Sequence, residues 1–239
     1  MIKMEIVIIG GNIFSLLCAD LLSKKHKILI LEINPEPGFP TNFLGYAYNK
    51  ETLETILESK TFNLNLKHQE NLICFRSEWL MKLLCHKLAK NGVKILNRCR
   101  VLNYQYIDNF IIKTSLDNNL KNEITADVIL DFTSISYPGP GNNKHNIIDN
   151  NKNIHIYNNQ KIKRYFVGTC LSSHNMQDYL ACLERNDNLS ELVYESKPPK
   201  DPENGWIETK TVSLIENFNV ASLDYYYSKS QQYIEENGW

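Results

Sequence analysis

The sequence predicts an α/β protein with a central parallel sheet, and three observations carry that prediction. Glu5–Ile9 and residues 27–33 are short, continuous apolar runs, the pattern of strands buried on both faces. Between them, Ile13, Leu16, Leu17, Leu21 and Leu22 fall along one side of a helix over residues 12–24. A Gly10-Gly11 pair stands where the first strand meets that helix. Strand, helix and strand thus follow as one right-handed βαβ unit.

The remaining elements read in order. Residues 34–49 contain Pro35, Pro37, Gly38 and Pro40 and are expected to be loop. A short helix is expected over residues 50–59. A longer one spans residues 76–90, with Trp79, Leu80, Leu83, Leu84 and Leu88 at helical spacing. Asn91-Gly92 stops it, because glycine takes the left-handed conformation past a helix end. Residues 93–96 follow as a strand. Residues 100–115 alternate as a hairpin turning near Asp108-Asn109, with a second turn near Asp117 to Asn119. Residues 128–132 form another buried strand. After Pro138-Gly139-Pro140-Gly141 the pattern weakens: strands over 154–157, 163–170 and 206–214, and helices over 175–184 and 221–236. The C-terminal part is therefore a β+α region, and no internal repeat is apparent.

Composition narrows the function classes. With 239 residues, 43% of them hydrophobic and 22% charged, the chain has material for a sizeable core. A formal net charge of -1 and no long basic run argue against nucleic acid and anionic membrane as partners. No apolar run approaches the ~20 residues of a membrane span. The chain starts directly on a strand pattern without a signal peptide, so a cytoplasmic protein is expected. The 6 cysteines form no CxxC and the 6 histidines no close pair, so reduced thiols and no metal site are expected. No Ser-His-Asp arrangement is supported by spacing.

The chemistry-bearing segment is the first turn. Gly10-Gly11-Asn12-Ile13-Phe14-Ser15 occupies the place of a G-x-G-x-x-G dinucleotide fingerprint, with only the first glycine kept. Asn12 stands at the second glycine, where its side chain occupies space near the phosphates. Ser15 stands at the third and is small enough for close helix packing. The helix N-terminus offers N–H groups and a positive dipole end to a pyrophosphate. Glu32 ends the second strand about 20 residues on, where an acid accepts hydrogen bonds from an adenosine ribose. An acid there disfavours a 2′-phosphate, and so NADP. The plain alternative is that the glycine pair is only a turn and Glu32 only closes a strand.

Three blocks together resemble a known family, the FAD-dependent oxidoreductases of the aromatic hydroxylase and geranylgeranyl reductase type. The first is Glu5 to Glu32. The second runs from Phe75-Arg76-Ser77-Glu78-Trp79-Leu80 to Asn91-Gly92-Val93-Lys94-Ile95, similar to the family's arginine-led helix and Gly-Val strand. The third, Ala126-Asp127-Val128-Ile129-Leu130-Asp131-Phe132-Thr133-Ser134, resembles its A-D-hydrophobic-D-A-T-G strand beside the flavin. The resemblance implies a Rossmann-like FAD/NAD(P)-binding fold, with the hairpin of residues 100–116 as the small β-meander that such folds insert between strands. It also implies FAD as cofactor, with NAD second, and cofactor contacts from Gly10, Gly11, Asn12, Ile13, Phe14, Ser15, Glu32, Arg76, Thr133 and Ser134. It divides the chain into a dinucleotide-binding domain, residues 1–140, and a reduced substrate-like or interaction region, residues 141–239. Ser134 replaces the family's glycine, and the G-D motif is missing, with Val167-Gly168-Thr169 the nearest candidate. The function implied is an FAD-linked oxidoreductase acting on a small molecule, with no catalytic side chain named. The alternative is a non-catalytic descendant that binds a nucleotide or a partner. Tyr225-Tyr226-Tyr227, Tyr233 and Trp239 make an aromatic C-terminus, expected either to pack back on its own chain or to reach a second one, and self-association as a homodimer or a protein partner is expected.

Overall fold

The computed structural model describes residues 3–39, 41, 43–58, 64–116, 123–133, 154–156, 162–174, 176–198, 200–215, 218 and 220–239. Ser134, the Asp117 to Asn119 turn, the Pro138 to Gly141 breaker and the boundary expected near residue 140 lie outside them. In chain order the elements begin with β1 (Glu5–Ile9), α1 (Ile13–Ser23), β2 (Lys27–Leu31), β3 (Tyr46–Ala47), α2 (Lys50–Leu57), β4 (Lys67–Gln69), β5 (Leu72–Cys74) and α3 (Ser77–Lys90). There follow β6 (Lys94–Leu96), β7 (Cys99–Tyr106), β8 (Phe110–Leu116), β9 (Glu123–Ala126), β10 (Val128–Asp131) and β11 (Ile154–Ile156). The C-terminal part holds β12 (Ile162–Leu171), β13 (Ala181–Glu184), β14 (Leu189–Tyr194), β15 (Glu208–Ile215) and α4 (Leu223–Glu236). They gather into two compact units that alternate along the chain. One comprises Met1–Pro40, Leu84–Gln160 and Lys229–Trp239, the other Thr41–Leu83 and Lys161–Ser228.

The first unit is built on a parallel sheet of order β11-β10-β1-β2-β6. Ile6, Val7, Ile8 and Ile9 are all buried, which is why β1 is apolar at every position and not only at alternate ones. The antiparallel meander β7-β8-β9 lays Val101, Phe110, Ile112 and Ala126 against Val7, Ile9, Leu31 and Ile129, making one core cluster. Asp20 of α1 and Lys87 of α3 form a nearly buried ion pair at 2.8 Å. Gly92, at φ +85, turns the chain out of α3 as the sequence predicts.

The second unit holds an antiparallel sheet of order β13-β14-β12-β15 and a small one of order β3-β5-β4. Two expectations are corrected here. Of the helix expected over 175–184, the described residues 176–184 form none: Asp178 takes a left-handed φ of +60, and β13 then pairs antiparallel with β14, so sheet pairing overrides the local pattern. Gly168 is no counterpart of a G-D turn, because it lies in the middle of β12. A Cβ there would sit 2.3 Å from the Trp206 ring, so glycine serves to let the indole lie on the strand.

Candidate functional site

The site is assembled at the C-terminal ends of β1, β2 and β10. β1 and β10 are sheet neighbours with Ile9 opposite Asp131, and the chain leaves β1 through α1 toward β2 on the other side. Strand order therefore reverses between β1 and β10, the topological switch point where open α/β sheets take ligands.

Gly10 adopts φ +96. A Cβ there would meet Thr133 N at an ordinary 3.5 Å, so the backbone angle, and not crowding, demands glycine. Gly11 is demanded by crowding: a Cβ would come within 2.7 Å of Glu32 Oε2 and 2.8 Å of Pro37 Cβ. Gly11 N donates to Glu32 Oε2 at 2.5 Å, while Asn34 N and Asn34 Nδ2 donate to Glu32 Oε1 at 2.8 and 2.9 Å. Glu32 is only 1% exposed.

Asn12 caps α1. Its backbone is extended, at φ -85 and ψ 174, and its Oδ1 accepts from Ser15 N at 3.0 Å. That takes one of the N–H groups an α-helix leaves without an intrahelical partner. Asn12 Nδ2 donates to the Phe132 carbonyl at 3.2 Å, and the Ser15 hydroxyl donates to the Asn12 carbonyl at 2.8 Å. Ile13 and Phe14 are buried in the first turn of α1. The Phe14 ring meets Phe132 edge-on at 5.3 Å, and Tyr233 meets these two rings at 5.7 and 5.5 Å.

Beyond β10, Asp131 Oδ1 accepts from Thr133 N at 3.0 Å and from the Thr133 hydroxyl at 2.6 Å. The Tyr104 phenol lies 3.4 Å from Asp131 Oδ2. Burial first, and then this carboxylate, pushes the Tyr104 phenol well above its ordinary range. Asp131 thus holds the strand end to Thr133, two residues on. Sequence reasoning named Asp131 but missed Asn34, Pro37 and Tyr104. An Asn two residues after an acid is a local turn signal and was legible in principle; the Pro37 and Tyr104 contacts are tertiary.

Of the residues singled out from sequence, Gly10, Gly11, Asn12, Ile13, Phe14, Ser15, Glu32 and Thr133 come together in the first unit. Arg76 belongs to the second. It immediately precedes α3, with its Nε 3.5 Å from Glu78 Oε2 and its guanidinium 5.8 Å over the Trp79 ring.

The donor set suits a dinucleotide. A helix N-terminus with no acidic side chain in its first turn faces the switch point, and an acceptor-only carboxylate lies beside it. Among the described residues no group of three or more His, Cys, Asp or Glu is arranged for a metal ion. No helix among them is long and apolar enough to cross a membrane.

No family model and no curated protein matches the chain. Solved structures match it by fold. One is a geranylgeranyl bacteriochlorophyll reductase-like protein from Thermoplasma acidophilum, with a TM-score of 0.61 at 11% identity over 89% of this chain and 66% of that one. Another is the halogenase PltM in complex with FAD, with a TM-score of 0.62 at 12% identity over 99% and 69%. A third is a flavoprotein/dehydrogenase from Cytophaga hutchinsonii, with a TM-score of 0.52 at 13% identity over 89% and 66%. The chain spans about two thirds of the length of these structures. The likeness is one of fold: the chain has a Rossmann-like α/β fold with a central parallel sheet.

Proposed function

We propose that the first unit binds an adenine dinucleotide, FAD before NAD, and that the protein is an FAD-linked oxidoreductase. The observation that carries this reading is the first turn. Gly10 at φ +96 hands β1 to the N-terminus of α1, while the Glu32 carboxylate is fixed on Gly11 N at the neighbouring strand end. In this reading the α1 N-terminus holds the pyrophosphate, Glu32 holds the adenosine ribose and Thr133, positioned by Asp131, borders the cofactor. Flavin, when bound, supplies the electron-transfer chemistry. The chain's own residues bind and orient it, and none is assigned a chemical step. Fold neighbours that include an FAD complex support the reading.

The test is the absorption spectrum of the purified protein, joined to its melting temperature with FAD and with NAD added separately. A ligand that binds only the folded state must raise the melting temperature. FAD is expected to raise it more than NAD does, and no response to either overturns the reading.

A second reading, a non-catalytic descendant that binds a partner, is favoured by a specific observation. Asn12 stands at the second glycine of the fingerprint and Phe132 at the alanine of the D-A-T-G strand, and both are buried at the turn. Under this reading neither dinucleotide shifts the melting temperature.

A further inference from the structure

The Asn12 backbone is extended, a conformation open to any residue, so nothing in the main chain requires glycine at this position. What distinguishes Asn12 from a glycine here is its side chain. Both ends of its carboxamide are engaged: Oδ1 with Ser15 N at the start of α1, Nδ2 with the Phe132 carbonyl just past β10. The side chain therefore spans the two edges of the switch point. Asn12 is only 6% exposed, and the amide is pinned between these two partners. At this place in the fingerprint the backbone must come close to a pyrophosphate.

We propose that Asn12 is an intramolecular latch that sets dinucleotide affinity: its carboxamide occupies the place of the pyrophosphate and must leave Phe132 before the phosphates can settle on α1. This rests on the reading that the first unit binds a dinucleotide. The latch acts on the phosphate-bearing part of a ligand and leaves adenosine recognition at Glu32 untouched. Opening it breaks the hydrogen bond to Phe132 and exchanges the one to Ser15 N for a phosphate contact. The latched state thus competes with every ligand that carries a diphosphate.

Calorimetric titration of the full chain with FAD, ADP and adenosine tests this, using wild type, Asn12→Gly, Asn12→Ser and Asn12→Asp. Asn12→Gly removes the amide and remains an acceptable helix cap. Asn12→Ser keeps an acceptor for Ser15 N but is too short to reach Phe132. Asn12→Asp keeps the cap and adds a negative charge. The expected result is about 10-fold tighter FAD and ADP binding in Asn12→Gly, a smaller gain in Asn12→Ser and a loss in Asn12→Asp, with adenosine unchanged. Melting temperatures without ligand establish that each variant is folded. Equal FAD affinity in wild type and Asn12→Gly overturns the latch while the dinucleotide reading stands. A gain for adenosine equal to that for ADP overturns the assignment to the pyrophosphate. Failure of both wild type and Asn12→Gly to bind FAD or ADP overturns the dinucleotide reading, and the latch with it.

Discussion

Glu32 serves two ends at once. As a strand-end acid it is the proposed ribose acceptor, and its two oxygens take hydrogen bonds from Gly11 N, Asn34 N and Asn34 Nδ2. Removing a buried acceptor leaves those donors unsatisfied. Glu32→Ala is therefore expected to lower folding stability by about 1–3 kcal/mol as well as weaken dinucleotide binding. Urea unfolding and FAD titration of the same variant read the two effects separately. Unchanged stability would show that water replaces the carboxylate at no cost. The candidate site was legible in sequence as far as the turn itself: Gly10 and Glu32 stand at fixed places relative to two strands and a helix. What was not legible is how each is used. Gly11 is glycine because Glu32 and the loop residue Pro37 approach it, and a loop contact of that kind has no periodic signature.

At the scale of elements, α3, β14 and β15 bring a charged network into the second unit. Lys210 Nζ lies 3.2 Å from Glu78 Oε1 and 3.4 Å from Glu191 Oε1, and Arg185 lies 3.4 Å from Glu191 on its other side. Burial raises the Glu191 carboxyl above its ordinary range despite these two cations. Lys210→Met would leave Glu78 and Glu191 without their shared cation, and breaking a buried pair in this way costs about 3–5 kcal/mol. The sign of the pH effect follows. Without Lys210 the two carboxylates are relieved by protonation, so the loss is expected to be full at neutral pH and to shrink as pH falls through the carboxylate range. Urea unfolding at pH 7 and pH 4.5 reads it; a loss that grows on acidification would contradict the account. None of this network was visible in sequence, because Glu78, Arg185, Glu191 and Lys210 share no local pattern. The same limit explains β4, whose Lys67-His68-Gln69 carries no apolar alternation and is a strand only by pairing with β5. By contrast β1, α1 and β2 were legible because continuous burial wrote itself into continuous apolar runs.

For the whole molecule, the aromatic C-terminus packs on its own chain. In the second unit Tyr226 meets Phe43 at 5.6 Å. In the first, Tyr233 meets Phe14 and Phe132, and Trp239 meets His26 at 5.8 Å. Removing residues 225–239 would strip cover from Phe14, Phe43 and Phe132, side chains each worth about 1.5–3 kcal/mol when buried. The truncated protein is therefore expected to melt at lower temperature and to aggregate, as light scattering would report. A soluble truncation with an unchanged melting temperature would mean that the tail covers nothing. The same scattering experiment on the full chain tests the proposed two-fold dimer, which a monomer across micromolar concentrations contradicts.

The central claim is that the first turn holds a dinucleotide, and FAD titration of wild type beside Gly10→Val tests it most directly. Valine at φ +96 is a strained β-branched residue, with a local cost of about 1–3 kcal/mol, so circular dichroism must first establish that the variant is folded. The account predicts saturable FAD binding by wild type and none by the folded variant. Equal affinity in the two proteins, or no binding by wild type, would contradict it.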